Sequence, residues 1–319
     1  MTTASLIGIP CGLGCAVLQS IAYVVSRHFT VSRGRGAGIH LIVLVHLWMG
    51  LFAAVTLPIV WVPGVPWDRV IEPLLAAAFF NICGQVAQTI ALHLAEPSRV
   101  SPLMSIKVFV PALLTMLFGA PAGAAAYSVL NAPQWIAIGL CAFAGASISR
   151  GGGGMKVSAL VAIAATIILY SASDWSIGMT IGRMLTTPGI GKTRAALLVT
   201  ASLYLLTPLG SLAVLPTRWG GSSPERWTYH WADWRDSLPY AACWFLAMIV
   251  LFVAIGEVGL VYGMILQSTR AFITIGLGAA LMYLGVAHIE PKQPHRVVVI
   301  RAIAGALMTA AIAMYIWNK

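Results

Sequence analysis

Charge is scarce in this chain: 9 Asp and Glu and 19 Lys and Arg among 319 residues make it only 9% charged. Soluble domains carry about 25%, so a globule of this size could not cover itself with polar surface. Cysteine chemistry is excluded next. The 5 cysteines, Cys11, Cys15, Cys83, Cys141 and Cys243, lie inside apolar runs and form neither a loop pair nor a CxxC, so no disulfide framework or zinc module is expected. Cys11 and Cys15 share a helical face as small packing residues. The 7 histidines (His28, His40, His46, His93, His230, His288, His295) are scattered, with no HExxH and no paired ligand spacing. Clustered carboxylates are missing as well, and a membrane-embedded enzyme generally needs one of these constellations, so that class stays open only as the less favoured alternative. Gly151 to Gly154 follow no strand and read as a linker, not a phosphate loop. No cofactor is implied.

What fills the chain is apolar: 59% of it, in recurring runs of about 20 residues, the length a helix needs to cross a bilayer. Ten such runs are expected, at about 5–26, 39–61, 71–94, 98–119, 133–148, 157–181, 195–215, 239–255, 260–284 and 297–317. The first is too long and too rich in glycine for a cleaved signal, and no basic residue precedes it, so it reads as a span. The reading is an all-α integral membrane protein, and the formal charge of +10 belongs to loops between spans, not to a nucleic-acid surface. The 216–237 loop carries Trp227, Trp231 and Trp234 at helical spacing, which predicts a short amphipathic helix on the interface.

Lys107 stands inside the fourth run with no acid near it in sequence. A charge at mid-bilayer costs about 2.5–3.5 kcal/mol on insertion scales and persists mainly where it faces protein, water or a ligand. The ninth run repeats the arrangement: Ser268, Arg270 and Phe272 each fall 163 residues after Ser105, Lys107 and Phe109. Pro111, four residues past the lysine, predicts a kink. Asp174, with Tyr170 and Thr166 on its face, is the one acid deep in a span. Gln19 shares a face with Tyr23 and Ser26. Asn81, Gln85 and Gln88 form an amide stripe on the third run, suited equally to interhelical hydrogen bonding and to lining a pathway.

The register between the fourth and ninth runs, and the tight Glu96 and Gly256–Gly259 connections before them, divide the chain into 1–150, a Gly-rich linker at 151–156, and 157–319. Five spans is an odd number, so the second unit inserts upside down relative to the first. Two inverted five-helix repeats of this kind build a midplane site that opens to either side.

Ten spans in two halves, the short connections, and SRVSPLMSIKVFVPALLTMLFG at 98–119 resemble the drug/metabolite transporter superfamily, in particular its EamA-like ten-helix exporters. Lys107 with Pro111, and Arg270 opposite, resemble the phosphate-translocating branch. Ala120-Pro121-Ala122 departs from the EamA pattern, which has a glutamate there, while Glu290 stands at the corresponding place after the ninth run. The resemblance implies a secondary transporter of small metabolites in a bacterial plasma (inner) membrane, with both termini cytoplasmic. Charge counting implies the reverse, because odd-numbered loops carry eleven Lys and Arg and even-numbered loops four.

The expected site pools Lys107, Arg270, Asp174, Ser105, Ser268, Gln267, Asn81, Gln85, Gln88, Gln19 and Tyr170 around a small polar substrate bearing a carboxylate or phosphate. Three alternatives stay open at this point. Asp174 pairs with Lys107 or Arg270 and the trio merely locks helices; Asp174 titrates and couples transport to protons or a counter-substrate; or Asp174 and the aromatic residues serve a cationic or lipophilic compound.

Overall fold

The computed structural model describes residues 3–34, 37–118, 131–150, 155–213 and 230–285, with separate positions from 294 to 315. Every regular element among them is helical: α1 Thr3–Arg33, α2 Ala37–Val60, α3 Trp67–Leu94, α4 Pro97–Leu103, a 3₁₀ turn Met104–Val108, α5 Phe109–Phe118, α6 Ala132–Arg150, α7 Val157–Met184, α8 Lys192–Ala213, α9 Trp231–Val258, α10 Leu260–Ser268 and α11 Arg270–Tyr283. Among the described residues, eight helical stretches are long and apolar enough to cross a membrane, counting Pro97–Phe118 and Leu260–Tyr283 as one span each, and Ala132–Ala144 is a shorter apolar helix. The tenth expected span, 297–317, lies only partly within the described residues, which are helical there. Gly151 to Gly154, Ala120 to Ala122, Trp227 and Glu290 lie outside them.

Packing is dominated by helices far apart in sequence. The most extensive pairings are α3 along α7 and α1 along α9, followed by α2 against α8. Glycine permits close approach: a Cβ on Gly84 of α3 would lie 2.7 Å from the Tyr170 ring of α7, and one on Gly12 of α1 would lie 2.6 Å from Leu266 Cβ of α10. At the centre, Trp244 of α9 gathers Tyr23, Tyr170 and Tyr240, with ring centroids 6.3, 6.1 and 5.7 Å away. Faces turned outward carry bare Val55, Ile59, Phe79 and Leu209, as a lipid-facing surface requires.

The fourth and ninth spans are both interrupted in mid-course. In the fourth, Pro102 and Pro111 each remove an N–H donor, and the chain tightens into the 3₁₀ turn between them. Pro111 cannot serve the Lys107 carbonyl four residues back, which Ser171 Oγ approaches at 3.5 Å instead. The ninth has no proline. There Ser268 Oγ donates to the Ile265 carbonyl at 2.6 Å and Thr269 Oγ1 to that of Leu266 at 2.7 Å. These side-chain bonds compete with the helix ladder where α10 gives way to α11. Ahead of the ninth span α9 meets α10 with only Gly259 between, at φ 93°, a backbone region closed to side-chain-bearing residues.

One expectation needs correcting. Trp231 and Trp234 do not form a separate surface helix; they open α9, which runs unbroken to Val258. The Asp233 carboxylate accepts from the His230 N–H at 3.0 Å, capping the start, and Trp234 packs edge-on to Trp48 at 5.7 Å. The amphipathic spacing reflected one turn of the span resting on α2. Arg33 of α1 ties this end down, binding Asp236 at 2.6 Å and Asp233 as well. At the opposite end of the bundle Arg183 of α7 reaches Glu72 at 3.6 Å, and Arg194 Nη2 donates to the Trp61 carbonyl at 2.9 Å.

Candidate functional site

The two interruptions face one another. Between them lies a crevice lined by Met104, Ser105, Lys107 and Val108 from the fourth span and by Met264, Gln267, Ser268 and Arg270 from the ninth. It holds about 160 Å³ of interatomic space, too finely divided to admit a water molecule. Met104 and Gln267, Ser105 and Ser268, and Lys107 and Arg270 are equivalent positions lining it, each pair sharing the 163-residue register. Ser105 Oγ donates to the Ser268 carbonyl at 3.4 Å, joining the two breaks directly.

Lys107 and Arg270 are 4% and 2% exposed, and each is held by the opposite half of the chain. Lys107 Nζ lies 2.5 Å from Asp174 Oδ2 on α7 and 5.3 Å from the centroid of the Tyr170 ring one turn earlier. Arg270 Nη1 donates to Gln19 Oε1 on α1 at 2.6 Å, and the guanidinium lies 5.5 Å from the Tyr23 ring centroid. Gln267 Nε2 donates to the same Gln19 oxygen at 3.0 Å, which fixes the orientation of that amide. Arg270 Nη2 reaches the Met104 carbonyl at 3.4 Å, while its Nε, fully buried, has no hydrogen-bond partner among the described residues.

Around this centre the sequence-derived residues sort into four groups. Lys107, Arg270, Ser105, Ser268 and Gln267 line the crevice, and Gln19, Asp174 and Tyr170 touch its cations. Gln88 stands one step further out, accepting from the Tyr170 hydroxyl at 2.5 Å. Asn81 and Gln85 are buried on the same stripe of α3 but do not line the crevice; both polar atoms of Gln85 lack a partner among the described residues. Of the open pairings, Asp174 takes Lys107.

Thr274 shares the helical face of Gln267 and Arg270 in the sequence, but the hydroxyls that meet it, Ser20 and Ser101, escaped sequence reasoning. Thr274 Oγ1 contacts Ser20 Oγ at 3.0 Å and Ser101 Oγ at 3.1 Å, and Ser20 Oγ also donates to the Arg270 carbonyl at 3.1 Å. These bonds knit α1, α4 and α11 beneath the arginine. Isolated hydroxyls are common in apolar helices, so no local signal marks them.

The fold and this buried charged centre define a helical multi-pass membrane protein. No family model and no curated protein matches the sequence. Among solved structures, the crystal structure of a protein 16% identical in sequence superposes with a TM-score of 0.61, covering 98% of this chain and 97% of that one. At that identity the likeness establishes a shared fold and nothing about activity.

Proposed function

We propose that the chain is a ten-helix secondary transporter of the drug/metabolite transporter type, built as two inverted five-helix repeats, that moves a small anionic or zwitterionic metabolite by alternating access. The observation that carries this reading is the crevice itself, where two interrupted helices present buried cations at matching positions on the two halves. Broken helices at mid-span are tolerated where they line a cavity, and they are how repeat-built transporters form their sites. The packing supports the repeat: exchanging the halves turns the α1/α9 pairing into the α7/α3 pairing and maps α2/α8 onto itself.

In this reading an oxyanion entering from one side is held in the crevice by charge-assisted hydrogen bonds. Arg33 with Asp233 and Asp236 clamps one end of the bundle, and Arg183 with Glu72 the other. Alternate loosening of these clamps exposes the crevice to each side in turn. Counterflow in proteoliposomes against anionic, zwitterionic and cationic metabolites tests it, with Lys107→Ala and Arg270→Ala beside the unmodified protein. Exchange of anions that both variants lose, measured on the folded fraction of each because Lys107→Ala also strands Asp174, is the expected result. Unchanged transport in both, or movement of cations alone, overturns it.

A further inference from the structure

The two cations are partnered across the halves by one rule with one exception. Lys107, on the fourth span, meets Asp174 on the first helix of the second half. Arg270, on the ninth span, meets Gln19 on the first helix of the first half. Each cation also lies against a tyrosine ring from its partner's own helix. The exception is chemical: one partner is a carboxylate and the other a neutral amide. Asp174 is near enough to interact with Arg270 through space, but its contact is with Lys107. Two cations and one carboxylate leave a single positive charge, and geometry assigns it to Arg270.

A buried guanidinium without a counter-charge is costly, and amide and carbonyl dipoles compensate it only in part. Among the described residues Arg270 receives hydrogen bonds only from such dipoles, Gln19 and the Met104 carbonyl, and its Nε–H is left unbonded. Glutamate has nearly the shape of glutamine and would complete the symmetry at position 19. Resting on the transport reading, we infer that Gln19 sets the charge the site accepts: by leaving Arg270 unneutralised it reserves the guanidinium for the single oxyanion group of a monoanionic substrate. Lys107, satisfied by Asp174, adds no net charge. Gln19 accordingly positions the guanidinium and withholds a negative charge from it, and Gln267, sharing the same oxygen, keeps the amide from turning.

The test uses purified full-length protein and thermal unfolding in sodium lactate or benzoate as monoanions and succinate as dianion, at matched ionic strength. In the unmodified protein the monoanions raise the unfolding temperature more than succinate does. Gln19→Glu raises it with no added anion, because the guanidinium gains an internal partner. The same variant weakens the response to monoanions roughly tenfold or more, the scale of one charge-assisted hydrogen bond. Gln19→Leu, which removes the acceptor without adding charge, weakens the response to all three anions because the guanidinium loses its positioning contact, but leaves the monoanions ahead of succinate. Equal responses of Gln19→Glu and Gln19→Leu overturn the inference, as does a dianion that stabilises as well as the monoanions, or no response to any of the three. Transport is read separately. Monoanion binding that depends on position 19 without counterflow of any substrate overturns the transporter reading alone, whereas counterflow unchanged in Gln19→Glu overturns the role of Gln19 alone.

Discussion

Lys107 and Asp174 are each 4% exposed, so neither charge has water to fall back on. Removing one partner of such a pair strands the other and costs about 3–5 kcal/mol, whereas replacing both with apolar groups is often neutral. Lys107→Met is therefore expected to destabilise strongly, and Lys107→Met with Asp174→Leu to recover most of the loss. Unfolding in detergent of the two single variants and the double one closes the cycle; additive losses would show that the pair is not coupled. Tyr170→Phe keeps the ring over Lys107 but withdraws the donor from Gln88, whose Nε2 already lacks a partner among the described residues. A loss of about 1–3 kcal/mol is expected from the unsatisfied amide, measured the same way.

At the scale of elements, the interruptions are where backbone chemistry positions the charges. Pro111→Ala restores a donor that can reach the Lys107 carbonyl, so the fourth span is expected to regularise and swing the lysine away from the crevice. Transport should fall while thermal stability holds, and a variant that transports normally would show the break to be incidental. Gly259→Ala forces a Cβ onto a φ of 93° and is expected to cost about 1–3 kcal/mol by unfolding. Much of this was legible beforehand. Apolar runs located the eight spans seen among the described residues, because length and composition decide what can cross a bilayer, and the 163-residue register already paired Lys107 with Arg270. Pro111 announced one break, but the other rests on Ser268 and Thr269 hydroxyls that look like ordinary packing residues. Which cation Asp174 would take, and that Gln19 stands where a second acid could be, depended on how α1 and α7 cross the broken spans. Sequence spacing within one helix says nothing about the rotation of its neighbour.

Across the whole molecule, the ends of α1 and α3 and the start of α9 gather at one end of the bundle: Arg27 of α1 donates to the Leu92 and His93 carbonyls at 2.6 and 3.0 Å, and Arg33 reaches α9. The ends of α2 and α7 and the start of α8 gather at the other. With the five cysteines replaced by alanine, Ser32→Cys and Thr186→Cys should be modified by an impermeant thiol reagent from opposite sides of sealed vesicles. The excess of basic residues in odd-numbered loops predicts that position 32 is the cytoplasmic one; modification of both from one side would overturn the arrangement.

The pairing of α1 with α9 and of α3 with α7 also bears on how the molecule is made. The first three helices to leave the ribosome make their largest contacts with helices not yet synthesised, so they must wait in the bilayer as loosely associated spans. Assembly is then one late, collective event, and a chain cut short after the first half is expected to be degraded instead of persisting as a folded half.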